Sequence, residues 1–301
     1  MKLATTTGDF FPYTNSQTEA LTHIRAAGFT CADYNFGCDY TNRTGIYSSN
    51  YRTYLATVRE HAKKLGLTFV QSHAPMGAPI ARDNAAFIAD TARCIEACAA
   101  LGIPSVVVHT GYESGLSVKE TFARNREFYL PLLEVAEKYG VEILAENFNR
   151  MCVDGLYWID NAPDLLAFLE YMNHPLLHAV WDVGHANMQE MPQDEALRML
   201  GAHVHAVHIH DNTANKMHDE HLAPFFGITN YAPVIRALLE IGYKGCFTLE
   251  VGRVFGKNEM RRVYEADDRL FRPTLAMRDA LERFLYEIAA EMLKAYDCFE
   301  G

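Results

Sequence analysis

Residues 118–146 read VKETFARNREFYLPLLEVAEKYGVEILAE, and this stretch carries the pattern that decides the fold. A helix-like segment, Val118–Tyr139, ends at Gly140, and an apolar run with the composition of a strand follows at Glu142–Glu146. A glycine directly after the last helical residue is a common C-terminal cap, because it adopts a left-handed backbone without steric cost. The stretch therefore predicts a helix, a tight turn and a strand, in that order.

The same alternation extends in both directions along the chain. Strands are predicted at Lys2–Thr6, Thr30–Asn35, Thr68–Ser72, Ser105–His109, Glu142–Glu146, His178–Asp182, Val204–His208 and Cys246–Val251. Helices are predicted between them at Thr18–Ala27, Tyr51–Leu65, Asn84–Leu101, Val118–Tyr139, Pro163–Met172, Gln193–Leu200 and Tyr231–Ile241. Strands that alternate with helices in this way indicate parallel βαβ units.

Eight such strands favour an α/β fold of the (β/α)8 TIM barrel type, because eight parallel strands close a barrel. An open, doubly wound sheet is the alternative, but it usually carries a glycine-rich phosphate loop after its first strand, and none is present here. Pro273–Ala295 predicts a long C-terminal helix. Since no linker or low-complexity segment divides the sequence, we expect one domain over residues 1–301.

Composition narrows the range of partners and locations. The net charge of −11 makes nucleic acid an unfavourable partner and a small molecule a better one. No apolar run is long enough to span a membrane, and the amino terminus lacks the apolar core of a signal peptide. The seven cysteines are scattered without a CxxC pair, which is typical of reduced thiols in a cytoplasmic protein. Homo-oligomers remain compatible with all of this.

Polar side chains recur at the predicted strand ends, which share the face where TIM barrels place their active sites. These ends and the loops after them supply His73, His109, Glu146, Asp182, His185, His208, His210, Asp211, Asp219, His221 and Glu250. Any one of them alone would more often be a cap or a satisfied polar residue. Caps and isolated satisfied residues do not explain six successive strand ends that each carry a metal-capable group, because buried carboxylates are costly unless they are paired or metal-bound. The pattern predicts a divalent-metal site.

The donor types indicate which metals would suit this site. Two glutamates, one aspartate and one imidazole form a nitrogen and oxygen set without thiolate, which suits Zn2+ or Mn2+ and also Mg2+ or Co2+. His208 and His210 have the same parity along one strand, so both could point inward. Either could supply the imidazole.

A set of short motifs occurs in a fixed order along nearly the whole chain. They are SHAP (72–75), ILAEN (143–147), DVGH (182–185), HIHDN (208–212), DEHL (219–222) and TLEV (248–251). Together they resemble the xylose-isomerase-like barrel superfamily, which includes sugar-phosphate isomerases, ketose 3-epimerases and endonuclease IV. The loop DEHLAPFFGITNY departs from the family's usual form, so its shape is not predicted.

The resemblance implies a ligand set and a substrate contact. One divalent cation would be held by Glu146, Asp182, His208 and Glu250, with His210 as the alternative imidazole. The histidine of DVGH, His185, would contact the substrate. Arg150 and Arg253 closely follow the fifth and eighth strands, and we consider them as substrate-binding residues, although surface salt bridges would place arginines there equally well.

The function expected from this resemblance is isomerisation or epimerisation of a sugar or sugar phosphate. The cation would polarise adjacent carbonyl and hydroxyl oxygens and stabilise an enediolate. Glu146 and Glu250 would be the catalytic acid and base that move the proton.

Endonuclease IV provides the alternative. It binds three zinc ions, and residues that match each of its ligand positions occur here. His73, His109, Asp219 and His221 are among these matching residues. Together with His210, the second histidine of HIHDN, they are candidates for additional metal ligands, or for residues that support the ligands. An endonuclease IV-like multinuclear zinc phosphodiesterase acting on abasic DNA is the second hypothesis. The acidic charge, and the absence of a basic stripe alternating with aromatic residues, argue against it.

Overall fold

Eight parallel strands close into a barrel in the order β1 to β8. The structure is a computed structural model that describes residues 1–149, 155–216, 218–252, 254 and 273–301. The strands are β1 (Leu3–Thr6), β2 (Cys31–Asn35), β3 (Thr68–His73), β4 (Ser105–Val108), β5 (Glu142–Glu146), β6 (Leu177–Asp182), β7 (Val204–Ile209) and β8 (Phe247–Leu249). The predicted (β/α)8 barrel is confirmed.

Helices connect the strands and surround the barrel. Those in the described residues are α1 (Gln17–Ala27), α2 (Gly37–Asn42), α3 (Tyr51–Leu65), α4 (Ala85–Leu101), α5 (Val118–Tyr139), α6 (Ala162–Met172), α7 (Val183–Ala186), α8 (Gln193–Leu200), α9 (Tyr231–Glu240) and α10 (Leu275–Lys294). The short helices α2 and α7 were not predicted, since neither is long enough to show a periodic pattern. None of the described helices combines the length and the apolarity needed to cross a membrane.

Local capping explains why the predicted boundaries agree with the observed ones to within two residues. Before α5, the hydroxyl of Ser117 accepts from the backbone N–H of Glu120, whose side chain accepts in turn from the N–H of Ser117. After α5, Gly140 has φ 67°. Asn173 performs the same function after α6, with φ 43°, because a short polar side chain tolerates this conformation better than most.

The core has an inner and an outer part. Val107, Leu144, Val180 and Ala206 fill the inside of the barrel. A much larger cluster lies between the strands and the helices. Trp181 belongs to this outer core and donates to Gln193 at 3.4 Å, so its side chain faces the helices rather than the strand-end mouth. The alternation of side chains along β6 thus sends Trp181 outward and Asp182 to the mouth.

A register shift between β6 and β7 sets which histidine faces Asp182. Ala179 pairs with Val204, but after the shift Asp182 pairs with His208. Without the shift, Asp182 would lie opposite Val207 instead of His208. One inserted residue therefore aligns the ends of β6 and β7.

Helix α10 is attached to the barrel through a fully buried arginine. Arg278 donates to the carbonyl of Val251, just after β8, at 2.6 Å and to Asp9, just after β1, at 3.2 Å. A second carboxylate, Glu282, contacts the same guanidinium. The carboxylate of Asp9 also accepts from the backbone N–H of Val251 at 2.9 Å. These contacts fix the backbone next to Glu250.

Candidate active site

The described carboxylates and imidazoles of the sequence motifs converge at one mouth of the barrel. Glu146 and Asp182 end β5 and β6, and both are almost fully buried at 2% and 0% exposure. His208 lies in β7 at 0% exposure, while the side chain of Glu250, just after β8, is 12% exposed. Charged groups so far from water need partners of opposite charge or a metal ion.

Glu146, Asp182, His208 and Glu250 form a compact group whose ligand atoms all lie within 4.8 Å of one another. Nδ1 of His208 is 3.0 Å from Glu146, 3.8 Å from Asp182 and 3.7 Å from Glu250. Three carboxylates around one imidazole nitrogen make a donor set that fits a divalent cation of hard to borderline character. We call these four residues the principal group.

Neighbouring charges in and around the principal group oppose the effect of burial on the pKa values of its members. Burial would raise the pKa of Glu146, but neighbouring imidazoles, His208 first among them, hold that pKa well below its usual value. Burial would likewise lower the pKa of His208, but Glu250 and Glu146 raise it. Burial also opposes ionisation of Asp182, yet His185 and a second imidazole lower its pKa to about 2. Glu146 and Asp182 therefore persist as anions, ready for a cation.

His210 lies beside the principal group rather than within it. Its Nε2 is 3.0 Å from Asp182, and its ring stacks on His221 at 3.9 Å. The ring also packs directly on Gly184 of the DVGH turn, where a Cβ would lie 2.0 Å from it. Only a glycine at this position leaves room for the ring. Of the two histidines in β7 and its extension, His208 is the one that meets all three carboxylates.

A second group shares Glu146 with the principal group. Nε2 of His109 is 2.8 Å from Glu146, and Nε2 of His73 is 3.6 Å from the same carboxylate oxygen. The ligand atoms of these three residues lie within 4.8 Å of one another. The arrangement gives Glu146 the geometry of a ligand that could bridge two cations.

A third group lies on the other side of Asp182 and contains His185, His210, Asp219 and His221. Oδ1 of Asp219 is 3.5 Å from His185 and 3.1 Å from His221. Burial would lower the pKa of both imidazoles, but Asp182 and Asp219 raise it to about 10 for His185, and Asp219 raises it to about 9 for His221. The structure thus brings together every described candidate ligand of the sequence analysis except Asp211.

Asp211 organises the loop that carries part of the third group. Its carboxylate accepts from the backbone N–H groups of Asn212 at 2.8 Å and Gly227 at 3.0 Å. These bonds fold the loop back over the barrel mouth, which returns Asp219 and His221 to the site. Asp211 therefore acts on the backbone and is not a member of the three groups.

Sequence reasoning missed a carboxylate and an amide behind the histidines. Asp33, fully buried in β2, lies 3.1 Å from Nδ1 of His73 and accepts from Gln71 at 2.8 Å. Gln71 also contacts Nε2 of His208 at 2.7 Å, whereas Glu146, Asp182 and Glu250 lie near Nδ1 on the other side of the ring. A register shift after Ala32 places Gln71 opposite Asp33. An aspartate inside the apolar run CADYN was the signal in the sequence.

Asn147 was missed as well, and it joins two strand ends. Its amide donates to the carbonyl of Asp182 at 2.9 Å, and its Oδ1 accepts from the N–H of Asp182 at 2.7 Å. Its own carbonyl lies 3.0 Å from Nδ1 of His185. Asp182 in turn caps α7 by accepting from the N–H of His185. Asn147 and the α7 turn together orient the side chains of Asp182 and His185 in DVGH.

Two candidate substrate residues, Arg150 and Arg253, lie outside the described residues. Among the described ones, the ring of Phe148 lies between two imidazoles. Its centroid is 4.8 Å from that of His109 and 5.0 Å from that of His185. Phe148 thus gives the mouth one apolar wall next to its charged groups.

Comparison with known proteins gives partial matches in sequence and nearly complete ones in structure. An uncharacterised protein of Methanocaldococcus jannaschii is 35% identical over 162 residues, which are 52% of this chain and 53% of that protein. The D-psicose 3-epimerase of Ruminiclostridium cellulolyticum is 26% identical over 151 residues, or 49% of this chain and 48% of the enzyme. The matches thus span about half the length of these curated relatives.

A solved structure extends the likeness to the whole fold. The crystal structure of a D-psicose 3-epimerase in the presence of D-fructose has a TM-score of 0.74 and 18% identity. The match covers 97% of this chain and 99% of that one. The family described as xylose isomerase-like TIM barrel matches residues 21–273. The chain therefore belongs to the xylose isomerase-like TIM barrel family.

Proposed function

We propose that this protein is a divalent-metal-dependent epimerase or isomerase of a sugar or sugar phosphate. The convergence of the principal group within 4.8 Å, at the catalytic mouth of a barrel of this family, carries the proposal. The similarity to a D-psicose 3-epimerase supports it. Glu146, Asp182, His208 and Glu250 are the proposed ligands, for Zn2+ or Mn2+ and also compatible with Mg2+ or Co2+.

Glu146 and Glu250 are the proposed catalytic acid and base. A bound cation would supply Lewis acidity to adjacent carbonyl and hydroxyl oxygens of a keto sugar. Glu146 is ionised at neutral pH because its pKa lies well below the usual value, so it can accept a proton from the carbon beside the carbonyl. Glu250 approaches His208 from a different strand and would deliver a proton taken up from solvent to the other face of that carbon, while the proton on Glu146 is released to solvent.

Neighbouring side chains suit the binding of a sugar. With a pKa near 10, His185 carries its proton at neutral pH and can donate to a substrate oxygen. Phe148 would pack against the C–H face of the sugar. Arg150 and Arg253 complete the proposed substrate-binding set, through hydroxyl groups or a phosphate.

The test is proton exchange at carbon in a panel of ketoses and ketose phosphates. Metal-loaded protein should incorporate solvent deuterium into at least one of them, and Glu146→Gln or Glu250→Gln should lower that rate by about 10²–10⁴-fold. Glu60→Gln, at an exposed position on α3, is the matched control and should leave the rate unchanged. Metal content and exchange that both survive the Glu146 and Glu250 substitutions would overturn the assignment.

A second candidate function is favoured by one observation, the two further groups on either side of the principal one. Together the three groups could hold three cations, as an endonuclease IV-like multinuclear zinc phosphodiesterase acting on abasic DNA would require. About three zinc ions per chain, with nicking of an abasic duplex and no deuterium exchange, would favour this function over the first. The net charge of −11 weighs against a DNA substrate.

A further inference from the structure

A separate cluster of metal-capable side chains lies at the opposite, amino-terminal mouth of the barrel. Glu142 begins β5, and His178 and His205 are the second residues of β6 and β7. Their ligand atoms lie within 4.8 Å of one another. The cluster is about 13 Å below the principal group, since four residues of strand separate Glu142 from Glu146. We call these three residues the basal group.

His178 has the tautomer of a metal ligand, with one nitrogen that is unpartnered in the described part of the chain. Its Nε2 donates to the carbonyl of Pro175 at 3.1 Å, so the lone pair is on Nδ1. Among the described residues, this buried Nδ1 has no hydrogen-bond partner. Burial and the nearby His205 lower the pKa of His178, so the ring is neutral at pH 7. A carbonyl that fixes the tautomer from behind is the usual support of a coordinating histidine.

Glu142 and His205 already face each other. Nδ1 of His205 donates to the Glu142 carboxylate at 2.9 Å, and the side chains are 33% and 34% exposed, so an ion can reach them from solvent. The rings of His178 and His205 stack at 3.6 Å and 10°. A bound cation would replace the proton that His205 shares with Glu142. The rings of His178 and His205 would have to turn apart so that one nitrogen of each points at the cation.

We propose that Glu142, His178 and His205 form a second cation site, for Zn2+ or another imidazole-preferring divalent metal, that cross-links β5, β6 and β7. Two imidazoles with one carboxylate favour such metals over Mg2+ or Ca2+, which prefer oxygen ligands. These strands also carry three members of the principal group at their upper ends. Because the amino-terminal mouth of a TIM barrel serves stability rather than catalysis, the cation would hold the strands together and would not react.

The first test locates the ion. Crystals soaked in micromolar zinc should give an anomalous peak at the zinc edge about 2.0–2.2 Å from Nδ1 of His178 and from a Glu142 oxygen. This peak would be separate from any peak at the carboxyl-end mouth. No peak at the basal group, or a peak only at millimolar zinc, would overturn the proposal.

The second test counts the ions in solution. His178→Gln and His205→Gln should each lose one zinc per chain relative to wild type, with zinc at the carboxyl-end mouth retained. Zinc should also raise Tm by about 5 °C more in wild type than in either variant. His174→Gln is the matched control, because His174 pairs with Glu137 at 3.2 Å outside any group of three metal-capable side chains in the described residues.

Equal zinc counts and equal zinc-dependent Tm shifts in wild type and both variants would overturn the proposal. If His178→Gln fails to fold, His205→Gln still decides, since its side chain is one-third exposed and tolerates replacement better. Neither readout depends on sugar turnover, so the outcome is independent of the proposed catalytic function.

Discussion

At the scale of single residues, the protonation of His208 should report on metal binding. Glu250 and Glu146 raise its pKa above the usual value against the effect of burial, whereas a coordinating imidazole must be neutral. Loading the principal group near pH 7 should therefore release a proton, and the affinity for the cation should increase with pH. Calorimetric titration with Zn2+ in two buffers of different ionisation enthalpy measures this release.

His208→Gln provides the comparison for that titration, because its amide carries no proton to lose. We expect the variant to bind zinc more weakly and to release fewer protons per ion. An affinity that does not change with pH in the wild-type protein would contradict the assignment of His208 as a ligand.

At the scale of elements, the attachment of α10 to the barrel should depend on pH through Asp9. Burial raises the pKa of Asp9 to about 7, because Arg278 is shared with Glu282 and offsets the effect only in part. The pKa of Asp9 is higher in the folded state than in the unfolded state, so the folded protein keeps this proton to a higher pH. Stability should therefore fall as pH rises from about 4 to 7, and Asp9→Asn should remove this loss.

Urea unfolding of wild type and Asp9→Asn at about pH 5 and about pH 8 measures the difference. Relative to the variant, wild type should lose about 2–3 kcal/mol of unfolding free energy between the two conditions. Groups common to both proteins cancel in this comparison. A wild-type loss no larger than that of the variant would show that Asp9 is ionised throughout.

At the scale of the whole molecule, the barrel should remain folded without metal. All eight strands pair around the closed ring, and the inner and outer cores consist of apolar side chains that need no ion as a partner. Removal of divalent cations with EDTA should therefore leave the far-ultraviolet circular dichroism unchanged while Tm falls by about 5 °C. Unfolding at room temperature on chelation would show instead that the buried carboxylates cannot be held by imidazoles alone.

Much of the fold and of the candidate site could be predicted because each depends on local patterns. Apolar periodicity, together with caps such as Gly140, sets where a helix ends and a strand begins. A side chain at a strand end, such as Glu146 or Asp182, must then lie at the barrel mouth, whatever the rest of the chain does.

The sequence by itself determined the alternation of helices and strands, and with it the barrel and the residues available to its mouth. Tertiary structure alone decided how those residues group, because distances across the barrel depend on register. One extra residue in β7, at the register shift against β6, places His208 opposite Asp182 and leaves His210 to stack on His221. The register of β2 against β3 likewise brought Asp33 behind His73, a contact between strands that no local periodicity encodes.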